Sequence, residues 1–324
     1  MSKYIAITIG DINGIGIKIL IDLFNRNKVN NFILFSNVNI IKRYIKKNKL
    51  KLRLNLLNKN AKNLNLKKNY LNLFSYETKS LEENTYKSLR FAYEFCKKKI
   101  CIGIITLPLR KDLIRKNINK NFIGHTEYFQ KIDKKESVNM ILFHKKIIIS
   151  PITTHIEIRK IPKFISNKKY LYNQIYNLNN TLKIDFNILK PKLIISGLNP
   201  HAGEYGEIGK EEKKFIIPVI NKLNKKGINI IGPVSADSIL INQNFKNIDC
   251  FVFIFHDQAL IPFKLISQFS GVNYTGNLNI IRTSPDHGTA YNLVNSKNFS
   301  NKSFLNCFKL VNKIYKNRKF NDKS

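Results

Sequence analysis

The chain predicts a two-domain α/β protein built mainly on parallel sheet, and three observations lead there. Short apolar runs recur at residues 4–9, 31–35, 100–106, 192–197 and 249–258, with Gly, Pro, Asn or Asp at most of their ends. Several are followed by segments of helical spacing, and a strand, helix, strand rhythm favours parallel pairing because the crossover helix returns the chain to the same edge of the sheet. At 324 residues the chain can build a sizeable core, and its length suggests two of them.

Taken in order, residues 4–9 form the first expected strand. Gly10-Asp11-Ile12-Asn13-Gly14-Ile15-Gly16 follows, then a helix over 17–24. A strand, a glycine-rich turn and a helix start can offer backbone amides to an anion. The glycines at 10, 14 and 16 do not form the dinucleotide Gly-x-Gly-x-x-Gly fingerprint, and a simple tight turn is the other reading. A strand is expected over 31–35. In the Lys/Asn/Leu mixture beyond it, a helix near 40–49 and a short strand near 52–56 are expected. Residues 81–99 have helical spacing, with Leu89, Tyr93 and Cys96 on one face and Glu82-Glu83 near the positive end of the helix dipole. A central strand over 100–106 runs out into Pro108-Leu109-Arg110-Lys111.

Gly124-His125-Thr126-Glu127 opens a helix toward Lys131. There His125 and Thr126 can meet a phosphate or carboxylate, or Thr126 can serve only as a cap. Residues 137–149 look like a hairpin, a break in rhythm that puts a domain boundary near 130. Later, a strand over 192–197 leads into Leu198-Asn199-Pro200-His201-Ala202-Gly203. A helix is expected over 211–225 and a strand over 227–232, after which Pro233-Val234-Ser235-Ala236-Asp237 puts a carboxylate at a strand end.

The densest chemistry lies between 249 and 289. An apolar run closed by His256-Asp257-Gln258 reads as a buried strand delivering three polar groups at its carboxyl end, where open α/β sheets place ligands. Lys264, Gly271-Val272-Asn273, Arg282-Thr283-Ser284 and Asp286-His287-Gly288-Thr289 follow. Of the six histidines, His125, His155, His201 and His256 stand beside or between expected elements. Histidines at several strand ends can converge on a divalent metal, with Asp237 or Asp257 completing or orienting the shell. Hydrogen-bonded catalytic or structural histidines are the alternative, since no local His-x-x-x-His pattern exists. His144, inside a strand among basic residues, reads as structural. The cations Lys264 and Arg282 imply a small anionic substrate such as a phosphate ester or a carboxylate.

Lys+Arg 56 against Asp+Glu 21 gives a formal charge of +35, a balance that suggests nucleic acid or an anionic membrane. The lysines are scattered through the chain in company with many Asn and Ile, all residues of A/T-rich codons, so codon bias accounts for the three together where a nucleic-acid site accounts for one. The four cysteines have no ligand-type spacing and read as reduced thiols. With neither a signal-peptide pattern nor a long uncharged apolar run, a soluble cytoplasmic protein without membrane or nucleic-acid partners is expected.

Seven segments together resemble the ordered motifs of the 4-hydroxythreonine-4-phosphate dehydrogenase family of vitamin B6 biosynthesis. They are residues 10–16, 124–127, Thr153-Thr154-His155, 197–203, 232–237, His256-Asp257-Gln258 and 282–290. The resemblance implies an isocitrate/isopropylmalate-dehydrogenase-like fold without the usual Rossmann fingerprint. It divides the chain into a cofactor-side domain of residues 1–130 plus 281–324 and a metal, substrate and dimerisation domain of residues 131–280. It maps metal ligands onto His155, His201 and His256, for one zinc, magnesium or cobalt ion in a site completed across a homodimer interface. Substrate contacts map onto His125, Thr126, Lys264, Asn273 and Arg282. Asp237 and Asp257 match acidic residues near the metal, and with Lys264 they form the catalytic candidates. Asp286, His287, Gly288 and Thr289 match the loop beside NAD, or NADP.

The implied reaction oxidises 4-phosphooxy-L-threonine to 2-amino-3-oxo-4-phosphooxybutanoate, which loses CO2 to give 3-amino-2-oxopropyl phosphate. The sequence departs from the family pattern at Ile12, Ile17 and Lys18, where prolines and a glutamate are usual, and at Ala259 in place of glycine. The rival readings are a related metal-dependent dehydrogenase for another phosphorylated hydroxy acid and a basic nucleic-acid-binding protein.

Overall fold

The computed structural model describes residues 4–57, 64–241, 247–296 and 298–321. The chain folds as two compact units, one of Met1–Lys131 with Asn279–Tyr315 and one of Ile132–Leu278 with Lys316–Ser324.

The first unit holds β1 (Tyr4–Thr8), α1 (Ile15–Asn25), β2 (Phe32–Phe35), α2 (Val38–Lys47), β3 (Leu54–Leu56), β4 (Leu71–Phe74), α3 (Leu81–Lys97), β5 (Cys101–Thr106), α4 (Lys111–Asn117) and α5 (His125–Ile132). The second runs through β6 (Asn139–His144), β7 (Ile147–Thr153), α6 (Ile161–Ser166), α7 (Lys168–Phe186), β8 (Lys192–Ser196), α8 (Ile217–Lys225), β9 (Asn229–Val234), β10 (Cys250–Phe255), α9 (His256–Ser267) and β11 (Val272–Gly276). The chain then returns to the first unit for β12 (Arg282–Pro285) and ends in α10 (Lys302–Asn321).

In the first unit the strands lie in the order β3-β4-β2-β1-β5-β12, and every pairing among them is parallel. β1 and β2 are apolar without alternation, as strands covered on both faces must be. α1 is buried on most of its circumference and contributes Ile17, Leu20 and Leu23 to the core. α3 starts at a Ser80 cap whose hydroxyl accepts from the Glu83 N–H. Its Thr85 hydroxyl donates to the Gly10 carbonyl at 2.6 Å and so ties the helix to the first glycine turn.

The second unit carries a mixed sheet in the order β11-β6-β7-β10-β8-β9. The hairpin expected over 137–149 is present as antiparallel β6 and β7, and β11 pairs antiparallel with β6. β7, β10, β8 and β9 are mutually parallel and form the half that bears on function. Phe253 and Ile194 of this half pack with Leu142, Ile149, Ala259 and Phe263 in one buried cluster.

The α/β class expected from the strand and helix rhythm is the class observed. At the densest stretch the structure differs from expectation, since the strand stops at Phe255 and His256-Asp257-Gln258 form the first turn of a twelve-residue helix. Pro262 inside α9, together with the strand-like run before it, hides that helix in the sequence. β4, α6, α7 and α10 also escape the sequence reading.

The last turn of α10, placed by the resemblance in the cofactor-side domain, groups with the second unit from Lys316 onward. Arg318 accounts for this. Its guanidinium donates to both oxygens of Asp185 in α7 at 2.6 and 3.2 Å, and the Tyr274 hydroxyl donates to the same carboxylate at 2.5 Å. The Asp185 side chain is 3% exposed. Among the described residues no helix is long and apolar enough to cross a membrane, and all four cysteines are buried and free.

Breaking a buried pair strands a charge, at a cost of about 3–5 kcal/mol. Asp185→Asn is expected to lower the urea-unfolding free energy of the chain by an amount in that range, whereas Arg26→Gln, which breaks an exposed pair with Asp22, changes it by less than about 1 kcal/mol.

Candidate active site

Parallel pairing brings the carboxyl ends of β7, β10, β8 and β9 to one edge of the second unit's sheet. Each end delivers a predicted site residue. His155 stands two residues past β7, His256 directly after β10, His201 five residues past β8 and Asp237 three past β9. The His155 and His256 ring centroids are 5.7 Å apart. Both rings, with Thr153, Thr154 and Asp257, line a cavity of about 150 Å³. His256 Nδ1 lies 2.6 Å from Asp257 Oδ1, a contact that holds the ring.

Past the end of β9, the Ser235 hydroxyl donates to Asp237 Oδ1 at 2.6 Å. That bond, helped by the charge of His201, holds the Asp237 carboxyl below its usual range. The donor set is of the kind a divalent ion takes, three imidazoles with carboxylates alongside. As the chain stands, however, no three His, Cys, Asp or Glu groups among the described residues are gathered closely enough to hold an ion by themselves.

The strand ends are tied to one another by side chains. Thr153 Oγ1 donates to the Ile254 carbonyl at 2.8 Å, linking β7 to β10. Gln258 turns inward, where its Nε2 donates to the Gly197 carbonyl at 3.2 Å and its Oε1 accepts from the Ile254 N–H at 3.1 Å. Of the three polar groups at the end of this run, Gln258 is therefore a brace between β10 and β8. Ala259 follows it, fully buried, with its methyl in the core cluster.

Lys264 is not a strand-end residue. It lies on α9 eight residues after His256, about 12 Å along the helix axis. Asp257, seven residues before it, falls on the same helical face roughly two turns away, so the two do not meet directly. Asn273 is on β11 opposite Leu142, and its buried Oδ1 has no hydrogen-bond partner among the described residues.

The first unit has an edge of its own, where β1, β5 and β12 end side by side. Arg282 opens β12 and is 2% exposed. Its Nε and Nη2 donate to Thr106 Oγ1 at 3.1 and 2.6 Å. Burial pushes its pKa down to about 10, against the opposing charge of Glu127, which leaves a cation poorly compensated by solvent. His125 begins α5, with Thr126 next on the helix. Burial, then the charges of Arg282 and Lys111, drives the His125 pKa well below 6.5, so the ring is neutral at pH 7. Its Nε2 is buried without a hydrogen-bond partner among the described residues, and an uncommitted buried polar atom beside a buried cation suits an anionic group.

The segment after β12 is bound to the first glycine turn. Ile15 N–H donates to the Thr289 carbonyl at 2.8 Å, and a Cβ at Gly14 would stand 3.1 Å from that oxygen, a tight contact that the neighbouring backbone would have to relieve. The Tyr291 hydroxyl donates to the Asp11 carboxylate. Asp11, Asn13, Thr85, Arg110 and Tyr291 line a cavity of about 300 Å³. The Asp286 N–H donates to Ser303 Oγ at 2.9 Å, and His287 Nδ1 lies 2.9 Å from the Gly288 carbonyl.

Lys18, whose charge is opposite to the family's usual glutamate, has a local function. Its ammonium donates to the Val294 and Ser296 carbonyls at 2.5 and 2.7 Å and lies 5.0 Å from the centre of the Phe299 ring. Thr106 and Tyr291 thus join the predicted residues, while Gln258, expected to be presented to a ligand, is a brace. The first two are separated from their partners by well over a hundred positions, and no local pattern links them.

Comparison with known proteins places these residues in context. A family profile described as "Pyridoxal phosphate biosynthetic protein PdxA" matches residues 28–311. The chain is 34% identical over 311 residues to the 4-hydroxythreonine-4-phosphate dehydrogenase of Sulfurihydrogenibium sp., covering 92% of this chain and 94% of that one. To the enzyme of the same name from Wigglesworthia glossinidia brevipalpis it is 32% identical over 317 residues, 95% of each chain. The solved structure of the Klebsiella pneumoniae 4-hydroxythreonine-4-phosphate dehydrogenase superposes with a TM-score of 0.82 at 26% identity, covering 97% of this chain and 98% of that one.

The buried neutral His125 makes a pH prediction. Its folded pKa lies below the ordinary 6.5, so below pH 6.5 the unfolded chain binds the extra proton and stability falls with pH. Between pH 7.5 and 5.5 this one group can remove at most about 1.4 kcal/mol. Urea titrations at the two pH values are expected to show a smaller loss for His125→Gln than for the wild type.

Proposed function

The chain belongs to the pyridoxal phosphate biosynthetic protein PdxA family, and from that premise we infer that it is an NAD-dependent dehydrogenase that oxidises 4-phosphooxy-L-threonine. The observation that carries the reading to particular residues is the set of four parallel strand ends bearing His155, His256, His201 and Asp237. It goes with a buried Arg282 and a neutral His125 suited to an anion.

The reaction removes a hydride from C3 and a proton from its hydroxyl. The hydride passes to NAD+, giving NADH, and the secondary alcohol becomes a ketone. The product, 2-amino-3-oxo-4-phosphooxybutanoate, is a β-keto acid and loses CO2 to give 3-amino-2-oxopropyl phosphate. Arg282, His125 and Thr126 bind the anionic end of the substrate. Arg282 supplies the charge and the two side chains of α5 supply hydrogen bonds. Asn273, with its uncommitted amide oxygen, takes a donor such as the substrate amine. Lys264 is the proton-handling group, and Asp257 on the same face of α9 shapes the charge around it. Asp237 contributes negative charge near His201.

His155, His201 and His256 would hold one divalent ion, of zinc, magnesium or cobalt. Such an ion supplies Lewis-acid polarisation of the hydroxyl that is to be oxidised. Asp286, His287, Gly288 and Thr289 form the cofactor-side loop. It is anchored to the first glycine turn through Thr289, which supports a pyridine nucleotide held without the usual fingerprint. NADP is the second candidate for that place.

A homodimer is supported by the outer face of α9, where Ile261 and Leu265 are 62% and 76% exposed on the helix that begins with His256. Apolar side chains of this size in a row mark a contact surface. The buried free thiols agree with a reducing compartment such as the cytoplasm.

NADH formation from 4-phosphooxy-L-threonine, followed at 340 nm with and without chelator, tests the assignment. Turnover is expected with added divalent ion, with a loss of at least about 100-fold in His201→Ala; no turnover by the metal-replete wild type would sink the reading. Lys264→Ala is expected to bind substrate but lose kcat, and full turnover across pH would remove its proton role. Light scattering should report two chains for the wild type and one for Leu265→Glu.

A further inference from the structure

The turn that carries His201 is unusual in its backbone, and one buried side chain holds the segment that leads into it. His201, Ala202, Gly203, Glu204 and Tyr205 have φ values of 50°, 54°, 80°, 38° and 55°, five consecutive residues in the left-handed region. Four of them carry a Cβ, for which that region is unfavourable, so the turn needs support from outside itself.

Glu212 supplies that support. It is 3% exposed and opens a short π-helical stretch that leads into α8. Its Oε1 accepts the Leu198 and Asn199 backbone N–H groups, both at 2.9 Å, and its Oε2 accepts Asn199 Nδ2 at 3.0 Å. The neighbouring Glu211 accepts the same amide at 2.9 Å. The carboxylate also lies directly beneath the turn. A Cβ at Gly203 would stand 2.7 Å from Oε2, and one at Gly197 would stand 3.1 Å from Oε1. Each of these contacts is to residues 197–203, the segment that presents His201 at the strand edge. A buried carboxylate whose hydrogen bonds all end in one loop sets the conformation of that loop.

We propose that Glu212 is a positioning residue for His201, and that the carboxylate sets the affinity of the site for a divalent cation without touching the cation. The inference rests on the reading of His201 as a metal ligand. Glu212 stands on the first residue of the π-helical stretch, ahead of α8.

The test uses the full chain stripped by chelator and titrated with Co2+, followed by calorimetry and by visible absorption. Glu212→Gln keeps the size of the side chain but sets an NH2 where an acceptor is needed. It is expected to weaken Co2+ binding at least tenfold and to alter the cobalt spectrum, in metal-free protein whose circular dichroism keeps the native fold. Saturating Co2+ should restore kcat, which a merely structural defect would not permit. If circular dichroism shows that Glu212→Gln does not fold, Asn199→Ala, which removes one arm of the network, replaces it, with at least threefold weaker binding expected. Wild-type affinity in the folded variant overturns the proposal. Loss of dependence on His201, seen as unchanged Co2+ binding by His201→Ala, removes the ligand reading and this inference with it. Normal dependence on His201 with unchanged Glu212→Gln affinity removes only the role of Glu212.

Discussion

Four parallel strands, β7, β10, β8 and β9, are hydrogen-bonded in a register that ends them together, and the second unit's chemistry depends on that ladder. Because every strand in the group runs the same way, whatever follows each one emerges on the same edge. Residues separated by up to about a hundred positions become neighbours without any local motif. The ladder also explains why the edge is braced by side chains such as Thr153 and Gln258, which bond across strand ends where backbone pairing stops. An antiparallel sheet would have sent alternate loops to opposite edges and divided the histidines between them.

The two units handle polar groups differently. In the second unit the site residues stand at the mouths of strands and on the first turn of a helix, where imidazoles are half-exposed or exposed and within reach of a ligand. In the first, Arg282 and His125 lie inside, and burial shifts both in the direction of the neutral form. A neutral imidazole beside a buried guanidinium welcomes a negative group without competing with it. The pair at Asp185 and Arg318 is a buried ion pair within the second unit, and it serves to fasten the last helix turn.

Two of the departures expected from the resemblance, Lys18 and Ala259, are accommodated locally. Lys18 cannot repeat the electrostatics of a glutamate, yet its ammonium has acceptors within reach in the carbonyls of the 294–296 segment and a ring face at Phe299. Ala259, next to the strand-end triplet, is helical and places its methyl in the packed core cluster. The high lysine content is distributed over the chain, as codon bias would leave it, and the folded core is built of Ile, Leu and Phe regardless.

Apolar period, turn residues and motif order determined the α/β class and most of the strands, because those properties are written in neighbouring positions. Tertiary structure alone decided the rest. That His256 begins a helix depends on β10 stopping at Phe255, an outcome of sheet packing that an apolar run cannot announce. That Lys264 stands two turns from His256 follows from the same helix. The bonds of Thr106 to Arg282, of Asp11 to Tyr291 and of Glu212 to the His201 turn join segments that only the folded chain brings together. The physical reason is common to all of them: a side chain's neighbours along the chain decide its local conformation, while its partners for charge and hydrogen bonds are set by which strands the sheet places side by side.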